Sequence, residues 1–165
     1  MPGGFDPERL LLTLVEHRVR FVLIGGWAAK LQGSPTVTAA VDICYGRDLE
    51  NLERLALALG DLDVRLRGVD DEVPFVLDAR SLRAGDSFTL STSAGDIDLI
   101  ASPAGSGGFD ALIESSDELE LDDMHIAVAS LADLISMKRA AARPKDLVEV
   151  EILQALQRES EHRGE

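Results

Sequence analysis

The residues best placed to do chemistry lie between Arg20 and Tyr45. Phe21, Val22, Leu23 and Ile24 form a short apolar run, as in a buried strand. Gly25 and Gly26 end it, and their missing side chains let backbone approach a ligand closely. Trp27 to Leu31 suit a short helix whose N-terminus faces the glycines, a place where phosphates bind well. Further on, Val41-Asp42-Ile43 puts a carboxylate inside an apolar strand, where it needs a paired cation. Asp96 and Asp98 stand at alternate positions of another strand-like run and share one face. Lys138, Arg139, Arg143 and Lys145 gather four cations around a helix break in an otherwise acidic chain. Acids that need cations and cations that need anions, beside a glycine turn, point to phosphate chemistry.

These residues need strands and helices in alternation to hold them. Asp6-Pro7-Glu8 is a helix entry, with Asp as cap and Pro in the first turn. Leu10, Leu11, Leu14 and Val15 mark one apolar face of that helix, to about Val19. Arg47-Asp48 opens a second helix, with Leu49, Leu52, Leu55, Ala56 and Leu59 at helical spacing and Gly60 at its end. Leu62, Val64 and Leu66 alternate with Asp63, Arg65 and Arg67, so this is a strand with one charged face. Residues 68–74 read as an acidic loop, and Asp78 to Arg83 as one helical turn closed by Gly85. Phe88 to Thr92 and Asp96 to Ile100 flank Ala94-Gly95 as a hairpin. Gly105 to Gly108 read as a flexible turn; they lack the lysine and the strand–helix setting of a phosphate loop. A helix from about Phe109 to Glu114 follows. A second hairpin joins Leu119-Glu120-Leu121 to Ile126-Ala127-Val128 around Asp122-Asp123-Met124. The cation cluster spans two C-terminal helices. One starts at Ser130 and runs to about Ala142; Pro144 starts the other, which runs to about Gln157. The order of elements gives an α/β (α+β) domain, a mixed sheet flanked by helices.

Composition bounds the rest. At 165 residues with 45% apolar content, one globular domain over residues 1–165 is expected, with flexible ends near 1–5 and 160–165. No run is long enough to span a membrane and no signal peptide opens the chain. The single cysteine, Cys44, excludes an internal disulfide and is consistent with a cytoplasmic location. His17, His125 and His162 are too scattered for a zinc site. The net charge of −14 argues against broad, sequence-blind nucleic-acid binding, yet it leaves room for a polyanion at one local basic patch. Arg65, Arg67, Arg80 and Arg83 are candidates to extend such a patch, though each singly reads as an ordinary surface charge.

Ile24-Gly25-Gly26 followed by Thr38-Ala39-Ala40-Val41-Asp42-Ile43 resembles the signature of the minimal nucleotidyltransferases of the polymerase-beta-like superfamily. That signature is an apolar residue, Gly, Gly or Ser, a gap, and then Asp-apolar-Asp-apolar. The close variant Thr-x-Asp-apolar-Asp-apolar lays onto Thr38 to Ile43, with Ala40 where the first carboxylate belongs. Another register makes Asp42 the first acid and Cys44 the second, but it lengthens the gap, and the first register is preferred. The resemblance implies the nucleotidyltransferase fold, with a twisted mixed sheet, and a two-metal site for magnesium, with manganese as the other candidate. Two-metal chemistry needs carboxylates bridging ions about 3.5–4 Å apart. Acids at alternate strand positions, roughly 6.6–6.8 Å apart, can grip both ions from one side. The resemblance implies a further carboxylate on a later strand, and the apolar-Asp-Leu-apolar ending picks Asp98 over Asp96. Asp42 and Asp98 are then the metal ligands. With Ala40 the chain is either naturally inactive or an inactivated variant of an active enzyme, and the intact look of the remaining site favours the second.

Ser130-Leu131, Asp133-Leu134-Ile135, Lys138 and Arg143-Pro144-Lys145-Asp146 are similar to a segment of the subgroup that includes the AbiEii-like toxins of bacterial toxin–antitoxin pairs. This implies catalytic roles for Asp42, Asp98, Lys138 and Asp146, with the missing acid at Ala40. Asp146 either orients Lys138 or favours the helix dipole. Gly25, Gly26, Thr38, Lys138, Arg143 and Lys145 become the nucleotide-binding set, the cations offsetting charge on a leaving pyrophosphate. The implied partners are a nucleoside triphosphate, the 3′ acceptor end of tRNA, whose blocked aminoacylation would stop translation, and a cognate antitoxin. Transfer of AMP onto protein hydroxyls is the alternative, and a catalytically dead nucleotide- or partner-binding module is another.

Overall fold

The computed structural model describes residues 4–69 and 75–163. The expected loop at 68–74 therefore lies largely outside the described residues, as do Met1 to Gly3 and the last two residues. Asp6 accepts from the Arg9 backbone N–H and starts helix α1 (Pro7–Glu16). It is shorter than the apolar pattern predicts, because Arg18 takes φ +58° and turns the chain toward β1 (Phe21–Ile24), buried along its whole length. Helix α2 (Gly25–Leu31) follows with no linker, so the two glycines form its first turn rather than a loop ahead of it. Strand β2 (Ala40–Tyr45) returns antiparallel to β1. Asp48 accepts from Asn51 N and caps α3 (Leu49–Asp61), which runs through Gly60 before Asp63 turns it with φ +52°. That turn takes Leu62 into the core, so the strand expected from Leu62 to Arg67 shrinks to β3 (Arg65–Leu66).

Asp78 caps α4 (Ala79–Ala84). Strands β4 (Ser87–Thr92) and β5 (Gly95–Ile100) form the predicted hairpin. The glycine turn leads to α5 (Phe109–Ser115), and Ser136 Oγ donates to Gly105 O, which ties the turn to the helix behind it. Strands β6 (Asp117–Leu121) and β7 (Met124–Val128) pair around Asp122 and Asp123, both with positive φ as a tight hairpin needs. Ser130 caps α6 (Leu131–Ala141). Ala142 ends it in the left-handed conformation, and α7 (Pro144–His162) starts on its proline. It outruns the expected end near Gln157, and the residues read as a frayed tail continue the helix to His162.

The seven strands lie in the order β3-β4-β5-β2-β1-β7-β6. Two joins are parallel, β2 with β5 and β1 with β7, so the sheet is mixed. Helix α1 packs on α3, α3 on α4, α5 against β1, and α2 against β2 and α6; α7 lies along α6. No helix among the described residues is long and apolar enough to cross a membrane.

Candidate functional site

Strand register places the acids. Asp42 is opposite Asp98 and Ala40 opposite Asp96 in the parallel β2–β5 pair. Positions two apart share a face, so all four side chains project from the same side of the sheet. Asp42 and Asp98 come within hydrogen-bonding reach. Burial, then the charge of Asp98 and the hydrogen bond to it, push the Asp42 carboxyl up to about 7; Lys138 and Arg67 offset only part of this.

Ile24 pairs with Asp42 across β1 and β2, so Gly25 arrives directly above the acid. Gly25 has φ +69°, and a Cβ there would stand 2.1 Å from Asp42 Oδ2. Gly26 has a separate task. A Cβ on it would lie 2.8 Å from Thr38 Cβ. Thr38 in turn donates to Ala40 O at 3.1 Å, which fixes the entry to β2. Thr38 and Gly26 therefore pack on each other, and neither is among the residues that line the cleft.

That cleft measures about 220 Å³ and opens between β2, the loop after β5 and the two last helices. Ile24, Ile100, Pro103, Leu134 and Met137 form an apolar wall; Gly25, Asp42, Lys138, Arg143 and Asp146 form the polar one. Lys138 points inward, with 17% of its side chain exposed. Its Nζ lies 3.5 Å from Asp146 Oδ1 and 2.6 Å from Glu149 Oε2. Asp146 is fully covered, by its partners more than by depth. It accepts from Arg143 N at 3.2 Å and from Arg143 Nε at 2.6 Å. The Arg143 bonds, ahead of the charge of Lys138, hold the Asp146 carboxyl below the usual carboxylate range. Asp146 thus ties both cations of the cleft to the first turn of α7. Lys145, one residue earlier, points outward and is exposed, as is Arg139.

Two participants go unassigned in the sequence reading. Glu149 is one; its signal is the spacing Asp146–Glu149, which puts both acids on one helix face. Arg67 is the other. Its Nη2 donates to Asp98 Oδ1 at 2.8 Å, and its Nε lies 3.2 Å from Asp96 Oδ2. Ser91 Oγ also donates to Asp96, at 2.9 Å. The basic track suggested by four arginines does not form around the site: Arg80 and Arg83 line a separate groove between α3 and α4. Cys44 shares a face with Asp42 but is buried and donates to Ala101 O at 3.4 Å. Burial pushes its thiol up to about 11, so it is a neutral thiol and a poor ligand.

The donor set fits one divalent ion better than two. Asp42 and Asp98 are crowded carboxylates whose repulsion a dication relieves. Among the described residues, however, no three His, Cys, Asp or Glu side chains gather as a metal cluster.

No protein-family model and no curated protein matches this chain. Solved structures do. The lincosamide antibiotic adenylyltransferase LnuA, with lincomycin bound, aligns with TM-score 0.60 at 17% identity, over 93% of this chain and 99% of that one. The antibiotic-resistance factor ANT(2'')-Ia aligns with TM-score 0.52 at 16% identity, over 94% and 90%. A Thermotoga maritima protein assigned as a nucleotidyltransferase aligns with TM-score 0.50 at 17% identity, over 97% of both chains. At such identities the likeness is one of architecture, and the chain has the nucleotidyltransferase fold.

Proposed function

We propose that this chain binds a nucleoside triphosphate between Gly25 and Lys138, in a site built to transfer the nucleotidyl group to a hydroxyl. The observation that carries this reading is the Asp42–Asp98 pair, set against Gly25 at the floor of a cleft whose wall supplies Lys138. In the reaction the acceptor oxygen attacks the α-phosphorus, the α–β anhydride bond breaks, and pyrophosphate leaves. Without a bound cation the Asp42 carboxyl is pushed up to about 7, so a dication has most to gain here by holding it ionised, and the acceptor's proton leaves to water. Gly25 lets phosphate approach, and Lys138, steadied by Asp146 and Glu149, meets the charge that collects on pyrophosphate. Magnesium or manganese, held by Asp42 and Asp98, would supply charge neutralisation when bound.

The acceptor in this reading is the 3′ end of tRNA, and the biological role a toxin held in check by an antitoxin. It rests on the likeness of the Ser130–Asp146 segment to AbiEii-like toxins. Ala40 leaves the face one acid short, so the chain binds nucleotide and transfers poorly or not at all. A second reading has a specific observation behind it. LnuA is an adenylyltransferase of lincosamide antibiotics, and ANT(2")-Ia has been solved with adenylyl-2"-tobramycin. A small hydroxyl-bearing acceptor, unlike tRNA, needs no cationic surface from a chain of net charge −14.

The test is the native chain and Ala40→Asp, each given magnesium and the four α-labelled nucleotides, with bulk tRNA, a protein extract, lincomycin and tobramycin in separate reactions. Label on tRNA with A40D alone is the expected result. Label confined to an antibiotic selects the second reading, and label on protein selects AMP transfer to side chains. No label anywhere, with no nucleotide binding by calorimetry, overturns the proposal.

A further inference from the structure

We propose that Arg67 is a cation built into the carboxylate face, which competes with divalent metal for Asp98, so that the single ion the present chain has acids for is weakly held. The inference rests on the reading of this site as a nucleotidyl-transfer site.

The position follows from register. Arg67 N donates to Thr89 O at 3.2 Å, which continues the β3–β4 pairing one residue past Leu66. Thr89 is opposite Asp98, and Asp98 is opposite Asp42. Arg67, Thr89, Asp98 and Asp42 therefore form a row across four strands, and side chains in such a row share a face. The guanidinium leans along that row. Nη2 donates to Asp98 Oδ1 at 2.8 Å and also to Leu90 O at 2.8 Å, while Nε reaches 3.2 Å from Asp96 Oδ2.

Two features make this a competitor of metal and not a passive brace. An arginine keeps its charge at every relevant pH, so any dication approaching Asp98 meets a fixed like charge. The arrangement is also incompletely satisfied. Nε faces Asp96 at ion-pair distance, yet its N–H finds no hydrogen-bond acceptor. Nη2 is bonded to Asp98 and to the carbonyls of Leu90 and Ile97, so it is the Nε edge toward Asp96 that charge alone holds, and there a dication has least bonding to displace. Opposite Asp96 stands the methyl group of Ala40, which can share no cation. Asp42 and the Asp98 oxygen that Arg67 does not hold then remain for metal, enough for one ion.

The measurement is manganese binding, by electron paramagnetic resonance and calorimetry, with and without a non-hydrolysable nucleotide. The native chain takes one ion. Arg67→Gln binds it at least tenfold more tightly, and Arg67→Lys, which keeps the charge but loses the fork, stays within about threefold of native. Ala40→Asp gains a second ion, at least tenfold weaker than the first, and adding Arg67→Gln tightens that ion. Two ions on the native chain, or an Arg67→Gln affinity within twofold of native, overturns the proposal. If Arg67→Gln does not fold, Arg67→Ala is measured in its place against the same thresholds. Manganese results as expected, with no nucleotide bound by any variant, leave the arginine's role standing and remove the nucleotidyl-transfer reading instead.

Discussion

Replacing Asp42 by asparagine separates the cost of the site from its use. The Asp42 carboxyl rises from its ordinary 3.8 to about 7, first through burial and then through Asp98 beside it. Between these values the folded chain holds a proton that the unfolded chain has released. Stability therefore falls as pH climbs from about 4 to about 7, and it is level beyond. At about 1.4 kcal/mol for each pH unit, the ionised acid costs the fold on the order of 4 kcal/mol at neutral pH and above. Asparagine removes the charge, and its amide can still donate to Asp98 as the protonated acid does. The assay is urea unfolding of both proteins at about pH 4.5 and about pH 8. The two should be alike within about 1 kcal/mol at the lower pH, and Asp42→Asn should be the more stable by about 2–4 kcal/mol at the higher. A matched arm with magnesium at the higher pH should raise the midpoint of the native chain and leave Asp42→Asn unmoved, because binding stabilises only a protein that holds the ion. Parallel pH profiles for the two proteins would refute the reasoning: Asp42 would then be no crowded, half-buried acid.

Gly25→Ala should destabilise the fold by about 1–3 kcal/mol, since it combines a left-handed φ with a Cβ 2.1 Å from Asp42 Oδ2; urea unfolding reads the loss, and calorimetry should show nucleotide binding lost with it. Asp146→Asn should cost about 1–3 kcal/mol at neutral pH by leaving Arg143 and Lys138 under-bonded. Because the bonds of Asp146 hold its carboxyl low, that deficit should persist above the usual carboxylate range and shrink as acid protonates the native side chain. Cys44, buried and with its thiol near 11, should resist alkylation at about pH 8 in the native protein and react only in denaturant, as mass spectrometry would show.

What was legible in the sequence follows a physical division. Caps and turns are local, so Asp6, Asp48, Asp78 and Ser130 mark true helix starts, and Ala94-Gly95 marks a true hairpin. Ends that depend on packing were less legible. Helix α7 runs on past Gln157 because nothing local stops it, and β3 is short because the core claims Leu62. The site is harder still, since its assembly depends on which strands become neighbours. No local pattern states that β2 and β5 run parallel, and that pairing alone sets Asp42 against Asp98 and Ala40 against Asp96.

The same division explains the arginine and the lysines. Arg65 and Arg67 alternate visibly in the sequence, but only the β3–β4 register sets Arg67 in the row of Asp98, an acid that belongs to a strand two places away. Lys138 and Lys145 fall in one basic segment, and only the resemblance gives Lys138 the catalytic role over Lys145. The break at Ala142 and the helical rotation after Pro144 then send Lys138 and Asp146 into the cleft and Lys145 out to solvent. A cluster of like charges in sequence is therefore a weaker guide to a site than one opposite charge fixed beside it. Lys138 marks the cleft because Asp146 and Glu149 grip it, and the face of Asp98 is modified because Arg67 grips that acid in turn.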